Sequence, residues 1–148
     1  MAMPKEMMDS FLAEPLLARM ATASKKNCQP HVVPLWYQWD GESIWVSGFR
    51  STRKFKELLD NPRVSMVVDT ESTPERGMRA VIMEGKAEVI TQPREFVFQK
   101  THEIYVRYLG PEGVMKPEPQ SWIHDDENLV VKLTPRKIYS WYEDKKKD

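Results

Sequence analysis

The sequence predicts a mainly β protein, an antiparallel barrel of about six to seven strands with helices inserted between them. Three observations carry this expectation. Apolar residues alternate with period two in short segments bounded by turn residues. Asp40-Gly41, a strong hairpin signal, separates two such segments. Strands and helices do not alternate at the regular spacing of a parallel α/β sheet, and no internal repeat or linker interrupts the chain. The 148 residues amount to about one domain, residues 1–148, with a core from 11 to 142 and a charged tail at 143–148.

The elements follow from local pattern. Met7, Met8, Phe11 and Leu12 share one face of a helix over residues 4–13, which Pro15 ends. Leu16 to Ala23 reads as a strand, followed by turn chemistry at residues 24–27. His31 to Trp39 reads as one strand, apolar on both faces, so both faces need cover. Ile44 to Phe49 is the next strand. Ser51 to Asp60 is a short helix burying Phe55, Leu58 and Leu59, stopped by Asn61-Pro62. Val64 to Asp69 and the long Arg79 to Thr91 segment are strands, and Gly85 within the latter predicts a bulge or sharp bend. Pro93 opens a helix reaching Leu109. Gly110 to Gln120, with three prolines, reads as a loop, and Asn128 to Leu133 and Lys137 to Tyr142 are the last strands. The count is about seven strands and three helices, and the tail from Glu143 is expected to fray.

Composition narrows the function classes. Lys+Arg and Asp+Glu are 22 each, a zero balance that argues against a dedicated nucleic-acid binder while leaving room for a local basic patch. No apolar run approaches the roughly 18 residues of a membrane helix. The N-terminal segment carries acids within its apolar stretch and does not read as a secretory signal, so a cytoplasmic protein is expected. The single Cys28 forms no internal disulfide.

The segment from Val46 to Glu57 carries the chemistry. A strand runs into Gly48, then Ser51 and Thr52, then a helix, with Ser51 the expected N-cap. A helix N-terminus carries about +0.5 of a charge and favours acids. Here Arg50, Arg53 and Lys54 crowd the first turn, with Lys56 behind them, while Glu57 and Asp60 lie toward the C-terminus. Each misplaced cation costs about 0.3–1 kcal/mol. Backbone N–H groups, two hydroxyls and three cations converging on one point describe an anion site, which a phosphate would turn from repulsion to attraction. No Walker loop and no G-x-G-x-x-G is present.

The order of parts from Ala18 to Asp69 resembles the flavin-binding split β-barrel family, the pyridoxamine 5′-phosphate oxidase-like proteins. The resemblance rests on residues 21–23, the run from Pro30 to Trp36, Asp40-Gly41, residues 44–47, Ser51 to Lys54 with Leu58, and residues 61–65; residues 85–89 and 131–138 look like the family's later strands. It implies a homodimer of split barrels holding flavin mononucleotide (FMN) in a groove at the interface. Carried onto this chain, Arg50, Ser51, Arg53 and Lys54 become phosphate contacts. Val33, Pro34, Leu35 and Trp36 line the flavin ring, and Ser47 and Gly48 approach the ribityl chain. The resemblance departs from true pyridoxamine phosphate oxidases at Arg136 to Tyr139, where those enzymes carry an Arg-x-His pair. It therefore implies the general branch, an oxidoreductase moving hydride through the flavin to a small-molecule substrate, with no catalytic residue assigned. Two alternatives stay open: a deazaflavin coenzyme in the same groove, with Lys56, Arg76 and Arg79 as extra cations, and a non-catalytic flavin- or haem-binding protein.

Other residues carry weaker signals. Four consecutive ligand types at His124 to Glu127 cannot all face one ion without a tight turn, so no metal site is expected. His102 reads as an ordinary helix residue and His31 as strand pairing with a possible approach to the ring. Cys28 lies in a turn with only Lys25 and Lys26 to activate it. Of Trp36, Trp39, Trp45, Trp122 and Trp141, Trp36 and one C-terminal Trp are candidates for ring contact, and the rest read as core or interface.

Overall fold

A computed structural model describes residues 1–144. The elements are α1 (Lys5–Leu12), β1 (Ala18–Ala23), β2 (Pro30–Leu35), β3 (Gln38–Trp39), β4 (Ile44–Phe49), α2 (Arg53–Asp60), β5 (Arg63–Thr70), β6 (Arg79–Ile90), α3 (Arg94–Gly113), α4 (Pro117–Ile123), β7 (Asn128–Leu133) and β8 (Lys137–Tyr142). The strands run β2-β1-β5-β6-β7-β4-β3, with β8 beside β6, and every pairing is antiparallel. The path does not close on itself, so the sheet curls into a split barrel around a core that includes Phe11, Leu12, Met20, Val46, Phe55, Met66, Met83 and Leu129.

The split originates in β6. One edge pairs with β5 along Arg79 to Lys86. The other edge is shared, with Arg79 to Glu84 on β8 and Ala87 to Ile90 on β7. Gly85 stands at the switch. A Cβ there would lie 3.0 Å from Leu133 Cδ1 and 3.4 Å from both the Arg136 amide and the Thr134 carbonyl. The register opposite β5 is unbroken through Gly85, so the glycine makes a bend and no bulge. The β7–β8 connection crosses at this point, its Arg136 N–H donating to Glu84 O at 2.9 Å.

Several elements differ from the sequence expectation for identifiable reasons. The expected strand His31 to Trp39 breaks after Leu35. The Tyr37 N–H leaves the ladder and donates to the Tyr108 hydroxyl at 3.0 Å, which in turn donates to Leu16 O at 2.6 Å. The buried Tyr37 hydroxyl donates to Glu14 O at 2.9 Å. A contact with α3 therefore decides where β2 ends, and it raises the strand count among the described residues to eight. Residues 110–120 are largely helical and not a loop. α3 kinks at Gly110 (φ 75°, ψ 170°) before Pro111, and α4 starts with Pro117 at a position where a missing N–H costs nothing. Leu59, expected on the buried face of α2, is 49% exposed, and Phe55 and Leu58 alone carry that face into the core. The Glu143 N–H donates to Met78 O, so the tail is tied at its first residue; residues 145–148 lie outside the described ones.

β2 is an edge strand, and that is where Pro34 can sit without breaking a ladder. Its outward residues Val32 and Pro34 oppose Ala21 and Arg19. Across the pairings of β5 and β6 this outward face continues to Tyr139 and Trp141 on β8. Val32 is 62% exposed, and Tyr139 and Trp141 are also open to solvent. Among the described residues, no helix is long and apolar enough to cross a membrane.

Candidate functional site

The β4–α2 junction places the basic turn at the surface. The N-cap is Thr52 and not Ser51, and no side chain caps the helix. The Thr52 hydroxyl turns back to Phe49 O at 2.7 Å, and the Ser51 hydroxyl donates to the Glu127 carboxylate at 2.5 Å. The first turn of α2 contains no acid and no side chain caps its N–H groups. Gly48 serves packing at this point: a Cβ would reach within 2.3 Å of the Phe55 ring, which fills the space under the turn.

The four expected phosphate contacts, Arg50, Ser51, Arg53 and Lys54, do not share one recess. Ser51 and Arg53 line a cleft of about 390 Å³ with Ser24, Lys25, Lys56, Glu57 and Asp60. Arg53 Nε donates to Glu57 at 3.0 Å, and Glu57 also accepts from the Thr22 hydroxyl at 2.6 Å. Those two hydrogen bonds, Thr22 first, hold the Glu57 carboxyl below the ordinary range. Arg50 lines a neighbouring recess of about 250 Å³ with Arg94 and Glu127. Lys54 lies with its Nζ 5.1 Å from the Phe55 ring centroid and pairs with no carboxylate among the described residues. Burial lowers the Lys54 pKa from its usual value.

Ser47, on the strand that runs into the turn, lines an apolar cleft of about 280 Å³ with Leu17, Pro34, Leu35, Trp36 and Tyr105. Three of the four expected ring-lining residues are thus brought together with Ser47, while Val33, opposite Met20, does not line it. Ser47 is 8% exposed, and its Oγ is buried without a hydrogen-bond partner. Leaving such a hydroxyl unmatched costs about 1–3 kcal/mol. The Tyr105 phenol lies near enough to feel Ser47 without a well-formed hydrogen bond, and burial raises its pKa, keeping it a neutral donor. Trp36 stacks on Tyr108 at 4.8 Å and 6° and meets Tyr105 edge-on at 5.3 Å, so α3 fixes the indole.

The remaining signals resolve by position. Arg76 pairs with Glu14, and Arg79 lies over Tyr142 and donates to Glu143 O, so neither lines these clefts. His31 pairs with Thr22 in the sheet. The His124 ring packs on Phe98, and among the described residues no three His, Cys, Asp or Glu side chains gather around a metal position. Cys28 is exposed in a turn at φ 56°. Trp39 and Trp45 donate to Asp9 and Asp40 at 2.8 and 2.9 Å. Leu17, Ser24, Lys25, Tyr105 and Glu127 line the clefts although the sequence reading gave them no part there. Only the i, i+3 aromatic pair Tyr105 and Tyr108 was a signal for any of them.

The comparisons bear on the family and the fold. The sequence profile described as pyridoxamine 5′-phosphate oxidase matches residues 4–142. No curated protein sequence matches the chain. The conserved hypothetical protein Rv2991 from Mycobacterium tuberculosis superposes with a TM-score of 0.77 at 26% identity, covering 95% of this chain and 85% of that one. A protein described as an F420 reductase superposes with a TM-score of 0.68 at 24% identity, covering 88% and 94%. A FAD-binding protein from Mesorhizobium loti has a TM-score of 0.64 at 18% identity, covering 95% and 93%, and shares the fold. With a split barrel and a profile match over nearly its whole length, the chain belongs to the pyridoxamine 5′-phosphate oxidase family.

Proposed function

We propose that this protein is an FMN-binding oxidoreductase. The observation that carries the reading is the uncapped first turn of α2, with Arg53 and the unpaired Lys54, reached from the strand whose orphaned Ser47 hydroxyl lines an apolar cleft. A phosphate monoester suits the turn: it carries close to two negative charges and accepts several charge-assisted hydrogen bonds. A planar ring with polar edges suits the cleft, where Trp36, Pro34 and Leu35 supply apolar walls and Ser47 and Tyr105 supply hydroxyls. The residues present therefore fit FMN. When bound, the flavin supplies the hydride chemistry; this chain anchors the phosphate, orients the ring and excludes water from it. The substrate is a small molecule, and Arg136 to Tyr139 lack the Arg-x-His pair, so vitamin B6 oxidation is not part of the proposal.

The groove is completed in a homodimer. The outward sheet face with Val32, Pro34, Tyr139 and Trp141 is the surface offered to a second copy. A stable interface of this kind buries at least about 1,000 Å² in total. Light scattering at micromolar concentration should give twice the chain mass, and a clean monomer would remove the shared groove.

A deazaflavin coenzyme is the second reading, favoured by the superposition on the F420 reductase. Lys25 and Lys56 beside Arg53 are the cations available for a longer anionic tail. Mass spectrometry of the ligand released from purified protein, with its absorption spectrum, decides between FMN, deazaflavin and haem. Reduction of the bound ring by a nicotinamide donor and its reoxidation by an acceptor separates an enzyme from a storage protein.

A further inference from the structure

A second cleft adjoins the first at Trp36. It has a volume of about 540 Å³ and is lined by Trp36, Leu109, Gly113, Lys116, Pro117, Glu118, Pro119 and Trp122. Trp36 belongs to both clefts. Tyr105 stands between them, edge-on to Trp36 at 5.3 Å and to Trp122 at 6.2 Å. The volume falls within the roughly 300–1,000 Å³ of small-molecule sites.

The walls are held before any ligand arrives. Trp36 is stacked on Tyr108, and Trp122 is braced by Tyr105. The kink at Gly110 and Pro111 turns the chain back, and the Gln120 side chain clamps α4 by donating to Val114 O at 2.8 Å. Pro117 and Pro119 add rigid, flat apolar edges. A preorganised wall loses little conformational entropy on binding. The polar side chains, Lys116 and Glu118, are exposed at the rim and opposite in sign, so the cleft favours no ion.

We propose that the cleft between α3 and α4 is a second small-molecule site, which takes an uncharged planar aromatic ring system between Trp36 and Trp122. It shares Trp36 alone with the lining of the proposed flavin cleft and stands whether or not that cleft takes FMN.

The test is calorimetric titration of the ligand-free full chain with 1-naphthol as the probe. Saturable one-to-one binding per chain is expected. Trp122→Ala should weaken it at least tenfold, while Trp122→Phe, which keeps a flat ring, should stay within about threefold. Gly113→Leu, whose Cβ would lie 3.3 Å from Leu109 Cβ and whose isobutyl group would crowd the cleft wall, should weaken it as well and serves if Trp122→Ala does not fold. FMN affinity, read separately by fluorescence quenching, should not change in any variant, and saturating FMN should not displace the probe. No saturable binding, full-strength binding to both Trp122→Ala and Gly113→Leu, or competitive displacement by FMN would each overturn the proposal. A failure to bind FMN at all would sink the flavin reading and leave this one standing.

Discussion

Replacing Lys54 by Gln should separate binding from stability. In the free protein the Lys54 ammonium is half-buried against Phe55, has no carboxylate partner among the described residues, and has its pKa lowered by burial. A lysine pKa below its usual 10.5 means that the fold disfavours the charged form. That penalty is full at neutral pH and disappears only as pH rises through the lowered value toward 10.5. Lys54→Gln should therefore leave the ligand-free protein as stable as the parent or slightly more so in chemical denaturation at pH 7.5. Bound phosphate reverses the balance. A hydrogen bond to a charged group contributes about 1.5–3 kcal/mol, and partial exposure of Lys54 places it at the low end. About 1.4 kcal/mol is a tenfold weaker FMN dissociation constant. Quenching of flavin fluorescence measures it directly. Riboflavin, which lacks the phosphate, should bind weakly to both proteins with no difference between them. If Lys54→Gln binds FMN normally, or riboflavin binds the parent as well as FMN does, the turn is a solvated surface and the anion-site argument fails.

Glu127→Gln should act in the opposite direction, because Glu127 holds the Ser51 hydroxyl and sets a negative charge at the turn. FMN should bind about threefold tighter or better, with riboflavin unchanged; weaker FMN binding would mean that Glu127 positions Ser51 for the ligand. Asp40 should contribute to acid sensitivity: burial alone would raise its carboxyl, but hydrogen bonds from the Trp45 indole and the Ser43 and Glu42 amides more than offset this and lower it. A depressed folded-state pKa gives stability that is present above the unfolded value near 3.9 and is lost as pH falls through the folded one. Asp40→Asn should lower the Tm at pH 7 and converge with the parent as pH drops below about 4; a Tm difference independent of pH would exclude the carboxylate as its source.

What was legible in the sequence was local. The bend at Gly85 could be anticipated because the residue sits on the inner face of a long alternating strand, and the basic turn because its cations are adjacent in sequence. The break in the strand at Tyr37 could not, because its N–H partner, Tyr108, lies 71 residues away. α4 was hidden because prolines that mark a loop in isolation are equally at home in a first helical turn. The site divides in the same way. Arg53 and Lys54 announce themselves, while Ser24, Lys25, Tyr105 and Glu127 reach the clefts from separate elements by tertiary packing. Pattern also could not reveal that the N-cap is Thr52, whose hydroxyl turns back to Phe49 O and leaves the helix uncapped, or that Ser51 gives its hydroxyl to Glu127.

The cations of the turn are not equivalent. The Arg53 guanidinium is already held by Glu57, whose carboxylate also takes the Thr22 hydroxyl of β1. Removing Arg53 would loosen that tie between α2 and β1, so a loss of FMN affinity would come mixed with a change in the scaffold. Arg50 faces a different recess, beside Glu127 and Arg94. A phosphate approaching α2 meets a field partly cancelled by two acids, and exposed charges separated by more than about 8 Å are screened at physiological salt. Discrimination in favour of the phosphate must then come from groups with no competing anion. Those are the uncapped N–H groups of α2 and the Lys54 ammonium, whose charge burial disfavours.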